Sequence, residues 1–245
     1  MALINATIAS KALGMETPLC AVIPFDRINC TKNEGRILYL LHGLSDGADA
    51  WQRYTTIENM ANANNIAVIM ATTHRAFYTD TQYIINYYKY FTEELPQLVE
   101  CLFGLDFPVG KTFIAGNSMG GYGALKLAVK SGRYHAAAAF SAVTDVTTLR
   151  KLGRIPTAEF DSIFGSAVPD SENLFRLYET PGQKPAIYMA CGDEDYLLED
   201  NIRFHKHLDS LGVTHTYEQW EGNHNWNFWQ QAVGKAIDFF NSLEN

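Results

Sequence analysis

The stretch "KTFIAGNSMGGYGALKLA", Lys111–Ala128, decides how this chain folds. "TFIAG" from Thr112 reads as a buried strand, and "GALKLAV" from Gly123 reads as a helix. Between them the apolar rhythm breaks at four glycines and Ser118. Gly116-Asn117-Ser118-Met119-Gly120 fits G-x-S-x-G, the turn that joins a strand sharply to a helix and leaves a serine hydroxyl exposed at its apex. Such a turn strains the serine backbone, and its flanking positions must lack side chains so that strand and helix can pass closely. The bare pattern arises by chance in roughly one chain in ten of this length. A strand before it and a helix after it supply the context it requires. Phosphate binding is the competing use of glycines at a helix start, but there is no G-x-x-x-x-G-K-[ST], and Gly121 and Gly123 lack the third glycine of G-x-G-x-x-G.

Outward from this stretch, short apolar runs recur: "ILYLL" from Ile37, "IAVIMA" from Ile66, "AAAAF" from Ala136 and "AIYMAC" from Ala186. Helix-compatible segments alternate with them: "TTIENMANA", "YYKYFTEELPQLVECLF", and "EDNIRFHKHLDSLG" with Gly212 as its stop. Pro96, inside the second, predicts a kink or a fresh start. "THTYEQW" from Thr214 adds a strand, and a last helix runs from about Trp226 to Leu243. The β-prone runs flanking Gly14 predict an antiparallel pair at a sheet edge. The expectation is an eight-stranded, mostly parallel α/β sheet with helices on both faces, in a single domain spanning 1–245. A long excursion at about 144–184 has the character of a lid or pocket-forming loop.

The formal net charge of −8 and the lack of a dense Lys/Arg cluster exclude a nucleic-acid surface as the expected partner. No run approaches the length of a membrane span, and the start lacks the basic and apolar regions of an export signal, so the expectation is a cytoplasmic protein with no membrane partner. Cys20, Cys30, Cys101 and Cys191 form no C-x-x-C pair and read as small, reduced, buried residues, with no metal site.

An alcohol is a weak nucleophile at neutral pH, so Ser118 needs a base, and the base an orienting acid. The expected chain order is Ser, then Asp or Glu, then His. "YMACGDEDYLLED" places Asp193, Glu194 and Asp195 just beyond a strand, where catalytic groups gather in open α/β sheets; local sequence does not separate them. His224, in "WEGNHNWNFW", lies in the turn between the last strand and the last helix and is the preferred base. His205 and His207 sit two apart on a polar helix and so face different ways; His74 precedes the serine; His135 and His215 flank strands at the far edge. The oxyanion formed during acyl transfer needs backbone donors, expected from Met119 N–H and from Leu44 in "HGLSDGADAW". Trp51, Phe77, Tyr78, Tyr122 and Trp226 are candidate walls of an acyl pocket.

Taken together, "LYLLHGLSDGADAW", "FYTDTQYIINYYKYFTEELPQLV", "FIAGNSMGGYGALKLA", "CGDEDYLLEDN" and "GNHNWNFW" resemble the esterase D group of α/β-hydrolases, in particular its tributyrin-esterase-like members. The resemblance spans most of the chain from Leu38 to Trp229. It implies the α/β-hydrolase fold and a serine carboxylesterase of short or small acyl esters that needs no cofactor. Its Gly-x-x-Asp pattern maps Gly192 onto Asp195 as the acid, beside Ser118 and His224, with Leu44 and Met119 as oxyanion donors. Relatives in the group include acetyl and feruloyl esterases, S-formylglutathione hydrolases and acyltransferases. Where the S-formylglutathione hydrolases carry a cysteine shortly after H-G-L, this chain reads Leu44-Ser45-Asp46, which favours an ester over a thiolester. Thiolester hydrolysis or acyl transfer is the alternative chemistry, and a binding module without chemistry the rival class. The expected partner is a small-molecule ester; homo-oligomerisation is left open by the sequence.

Overall fold

The computed structural model describes residues 1–25 and 35–243. The expected edge hairpin is β1 (Ala2–Ser10) and β2 (Met15–Ile23), paired antiparallel across a turn whose Gly14 takes φ +65°. β2 meets β4 (Ile66–Ala71) antiparallel, and from there every neighbour is parallel: β3 (Arg36–Leu41), β5 (Thr112–Asn117), β6 (Ala136–Phe140), β7 (Ala186–Gly192) and β8 (His215–Trp220). The sheet order is β1-β2-β4-β3-β5-β6-β7-β8. Parallel strands need crossovers, and the crossover helices bury both faces. Alternate residues of each strand therefore enter different cores: Ile37, Tyr39 and Leu41 join one layer, Leu38 and Leu40 the other.

One layer is covered by α1 (Ala50–Tyr54), α2 (Ile57–Ala63) and α9 (Trp226–Ser242), whose Phe228, Trp229, Ala232, Val233, Ala236, Ile237 and Phe240 repeat at helical spacing. The other is covered by α3 (87–103), by α4 (Met119–Ser131) and by α8 (Leu198–Ser210). Pro96 marks a fresh start within α3, as the sequence predicts. The rod runs as Tyr87–Lys89, widens into a π turn over Tyr90–Glu94 and continues as Leu95–Phe103. A proline cannot donate to the carbonyl four residues back and its ring crowds it; the wider turn just before Pro96 relieves both demands, and the α segment that follows takes Pro96 in its first turn.

The excursion folds into α5 (Val146–Lys151), α6 (Thr157–Phe164), a 3₁₀ turn at Asp170–Glu172 and α7 (Leu174–Glu179). A buried polar knot fastens it to α4. Lys126 Nζ, fully buried, donates to Glu172 Oε2 at 2.6 Å, Thr79 Oγ1 at 2.6 Å and the Phe77 carbonyl at 3.1 Å. Tyr122 Oη donates to the Glu172 carbonyl at 2.8 Å, and Lys130 reaches Glu172 Oε1 at 3.1 Å. Burial opposes ionisation of Glu172, but Lys126 and Lys130 outweigh it and hold its carboxyl below the usual range.

Cys20 and Cys191 are buried as expected, but Cys101 is exposed on α3, because its position falls on the outward stripe of that helix; Cys30 lies outside the described residues. Among the described residues no helix is long and apolar enough to cross a membrane.

Candidate active site

The elbow is present where β5 turns into α4. Ser118 takes φ 53°, ψ −115°, a conformation L-residues adopt only under constraint. Its backbone is held from both sides: its N–H donates to the Phe140 carbonyl at 2.8 Å, and its own carbonyl accepts from Val143 N–H at 3.1 Å and Tyr122 N–H at 3.2 Å. The flanking glycines are a steric necessity. A Cβ on Gly116 would stand 2.5 Å from the Gly120 carbonyl carbon, and one on Gly120 would stand 2.4 Å from the Leu41 carbonyl oxygen, both unyielding backbone atoms.

His224 Nε2 lies 3.1 Å from Ser118 Oγ, and His224 Nδ1 lies 2.9 and 3.0 Å from the two oxygens of Asp195. The carboxylate can only accept, so Nδ1 carries the hydrogen and Nε2 turns its lone pair toward the serine hydroxyl. Asp195 has a fully buried side chain and also accepts from Leu197 N–H at 2.9 Å, which fixes its plane. Its two rivals point elsewhere: Asp193 Oδ1 accepts from Gly222 N–H at 3.0 Å, and Glu194 is exposed. His224 precedes Asn225, whose Oδ1 caps α9 by accepting from Phe228 N–H at 3.2 Å, so the helix start anchors the turn that presents the imidazole. Tyr196 and Trp229 flank the ring at centroid distances of 4.5 and 5.0 Å. His74 rests edge-on against Tyr87, and His135 and His215 lie at the opposite end of the strands.

Leu44 lies in the loop after β3 and lines the same hollow as Ser118. Met119 opens α4, where a helix leaves its first amides without internal acceptors. The loop is braced by His42, a residue whose role sequence reasoning missed. Its Nδ1–H donates to the Gly43 carbonyl at 2.8 Å, and its Nε2 accepts from Thr73 N–H at 3.1 Å. Complete burial pushes the His42 imidazole down to about 4, so it stays neutral and keeps this tautomer. Tyr78 Oη adds a bond to the His42 carbonyl at 2.9 Å. Asp46 turns back beneath the loop; burial pushes its carboxyl up to about 6 against the hydrogen bond from Gly43. Asn117, buried beside Ser118, leaves both ends of its side-chain amide without a protein partner while lining the hollow.

The hollow has a volume of about 260 Å³, and Leu149, Arg154, Tyr196 and Trp229 form its outer wall. The five aromatics expected there are not among its lining residues. Trp51 is fully buried, edge-on to Trp226 at 5.0 Å and bonded through Nε1 to the Leu41 carbonyl; Phe77, Tyr78 and Tyr122 pack in the core beneath α4. Large aromatics suit cores and pockets equally, so their positions in sequence did not discriminate. The walls instead come from the excursion, from the turn after β7 and, through Trp229, from α9, segments brought to the serine only by folding. Arg75, on the rim, is paired with Glu159 of the excursion.

A family model described as "Putative esterase" matches residues 10–239. An acetyl esterase of Caldicellulosiruptor saccharolyticus is 26% identical over 268 aligned positions that cover all of both chains. Among solved structures, the fluorophosphonate-binding serine hydrolase FphF of Staphylococcus aureus is 30% identical with a TM-score of 0.89, each chain covered to 98%. The S-formylglutathione hydrolase FrmB of the same organism is 31% identical with a TM-score of 0.87, again over 98% of both chains.

Proposed function

The chain belongs to the esterase family and has the α/β-hydrolase fold, and from that premise we propose that it is a serine carboxylesterase of short or small acyl esters, acting through an acyl-enzyme. The observation that carries this reading is the hydrogen-bonded series Ser118 Oγ, His224, Asp195 at 3.1 and 2.9 Å, opening into a hollow of about 260 Å³. His224 Nε2 takes the serine proton as Oγ attacks the acyl carbon, then returns it to the leaving alcohol. Asp195 holds the tautomer and stabilises the imidazolium. Leu44 and Met119 N–H groups receive the oxyanion of the tetrahedral intermediate. Water, activated by the same imidazole, then releases the acid.

A hollow this small admits acetyl to butyryl groups more readily than long chains. Acetyl ester cleavage is also the activity in the name of the curated relative. A fluorophosphonate probe is expected to label wild type at Ser118 and to leave Ser118→Ala unlabelled, with loss of p-nitrophenyl acetate turnover; retained turnover by Ser118→Ala would refute the assignment.

The likeness to an S-formylglutathione hydrolase at 31% identity favours thiolester hydrolysis as a second reading, against the expectation drawn from Leu44-Ser45-Asp46. Acetyl, butyryl, octanoyl, feruloyl and formyl-thiolester substrates compared by kcat/KM separate the two.

A further inference from the structure

Three ligand-bearing side chains converge far from Ser118, at the opposite end of the strands. His205 and Asp209 lie four residues apart on α8 and so share one face, while His215 opens the edge strand β8. One ligand atom from each lies within 4.8 Å of the other two. His205 and His207 do face different ways, as expected: His207 Nε2 bonds to the Phe175 carbonyl. The partner of His205 is instead His215, ten residues away, because the turn after α8 folds β8 back along the helix.

The geometry points to a binding site for a divalent transition ion, Zn²⁺ by the chemistry of its donors, held by His205 Nδ1, His215 Nε2 and Asp209 Oδ1. His215 is prepared for this. Its Nδ1–H donates to the Val213 carbonyl at 2.8 Å, which directs the Nε2 lone pair toward His205 and supplies the backbone support that metal-bound imidazoles characteristically have. Its side chain is only 3% exposed, so this orientation is fixed. His205 lies flat on the Tyr217 ring at 4.7 Å and 13°, which sets its plane while allowing it to slide. Without metal, the two imidazole nitrogens are 2.7 Å apart and share one hydrogen. Two nitrogens on a tetrahedral Zn²⁺, each at about 2.0–2.1 Å, stand roughly 3.3 Å apart, so the rings must separate by a fraction of an ångström.

The proton balance closes. The hydrogen now on His205 Nδ1 leaves, and the ring takes one at Nε2, which faces Asp209 Oδ2 at 3.5 Å. Asp209 Oδ1, 3.9 Å from His215 Nε2, then completes three protein ligands. Asp209 is 60% exposed, so water fills the remaining position. Two imidazoles and one carboxylate suit Zn²⁺, Co²⁺ or Ni²⁺ and disfavour Mg²⁺ and Ca²⁺, which prefer oxygen donors. The bound ion would tie α8 to the edge strand, and any ligand that binds only the folded chain raises its melting temperature.

The test uses metal-stripped full-length protein titrated with ZnCl₂ in a calorimeter, with CoCl₂ absorption in parallel. The expected result is one Zn²⁺ per chain, a Co²⁺ spectrum of nitrogen and oxygen ligation without thiolate bands, and a rise in Tm with Zn²⁺. Asp209→Asn is expected to weaken Zn²⁺ binding by about tenfold or more, and His205→Gln to abolish it, both with p-nitrophenyl acetate turnover unchanged. Asp209 is exposed, so its variant folds and keeps the comparison clean if the His205 variant does not. Zn²⁺ bound with unaltered affinity by both variants, thiolate bands in the Co²⁺ spectrum, or no binding at millimolar Zn²⁺ would each overturn the site.

Discussion

Replacing Lys126 by methionine keeps the length of the buried stem and removes the charge that joins α4 to the excursion. The loss can be sized from its contacts. Removing one partner of a buried ion pair costs about 3–5 kcal/mol, mainly because the other charge stays buried and unpaired. Glu172 would keep Lys130 at 3.1 Å on Oε1 and the Thr79 hydroxyl at 3.0 Å on Oε2, so Lys126→Met falls near the lower limit, about 3 kcal/mol. Glu172→Gln strands the fully buried Lys126 ammonium beside neutral oxygens and falls nearer the upper limit. Removing both leaves neither charge stranded, so the double variant should be less destabilised than the sum, with a coupling of about 2 kcal/mol. Urea denaturation of the four proteins measures the cycle. Hydrogen exchange adds a local reading: about 3 kcal/mol corresponds to roughly a hundredfold loss of protection, expected first in Leu174–Glu179. A cost below about 1 kcal/mol for Lys126→Met, or additivity within about 0.5 kcal/mol, would show that the knot does not fasten the excursion.

Asp195→Asn keeps the shape of the acid but no longer selects the tautomer of His224, so kcat for p-nitrophenyl acetate should drop about 10⁴-fold with KM little changed; a loss under tenfold would remove Asp195 from the proposed triad. Asp46 carries a pH signature of the opposite sign to an ordinary ion-paired aspartate. Its folded value of about 6 exceeds the ordinary 3.8, so the native state binds more protons between the two, and its contribution to stability is lost as pH rises through that window. Asp46→Asn lacks this loss, so its stability relative to wild type should climb between pH 4 and pH 7 by on the order of 2 kcal/mol in urea titrations. A constant difference across that range would rule out the assigned burial.

Much of the architecture was legible because it depends on local physics. Alternating apolar strands and amphipathic helices specify a doubly wound sheet, and all eight expected strands are present in it. Gly116 and Gly120 announced the elbow because no side chain fits against Gly120 and Leu41 backbone there. Pro96 was legible in the same way, because its missing donor suits the first turn of a fresh helical segment; the π turn that precedes it has no composition signal of its own.

The candidate acid was a different matter. Asp193, Glu194 and Asp195 are equivalent as a string, and resemblance rather than local chemistry singled out Asp195. Folding separates them, since the turn after β7 spends Asp193 on Gly222, leaves Glu194 in solvent and buries Asp195 against His224. Sequence by itself determined the sheet, the elbow and the candidate base, because each follows from sterics and periodicity within a few residues. Only the tertiary structure decided which aromatics are core and which are wall, that His42 braces the loop carrying Leu44, and that His205 meets His215. Those outcomes depend on distances between segments far apart in the chain, and no local preference encodes a distance across a fold.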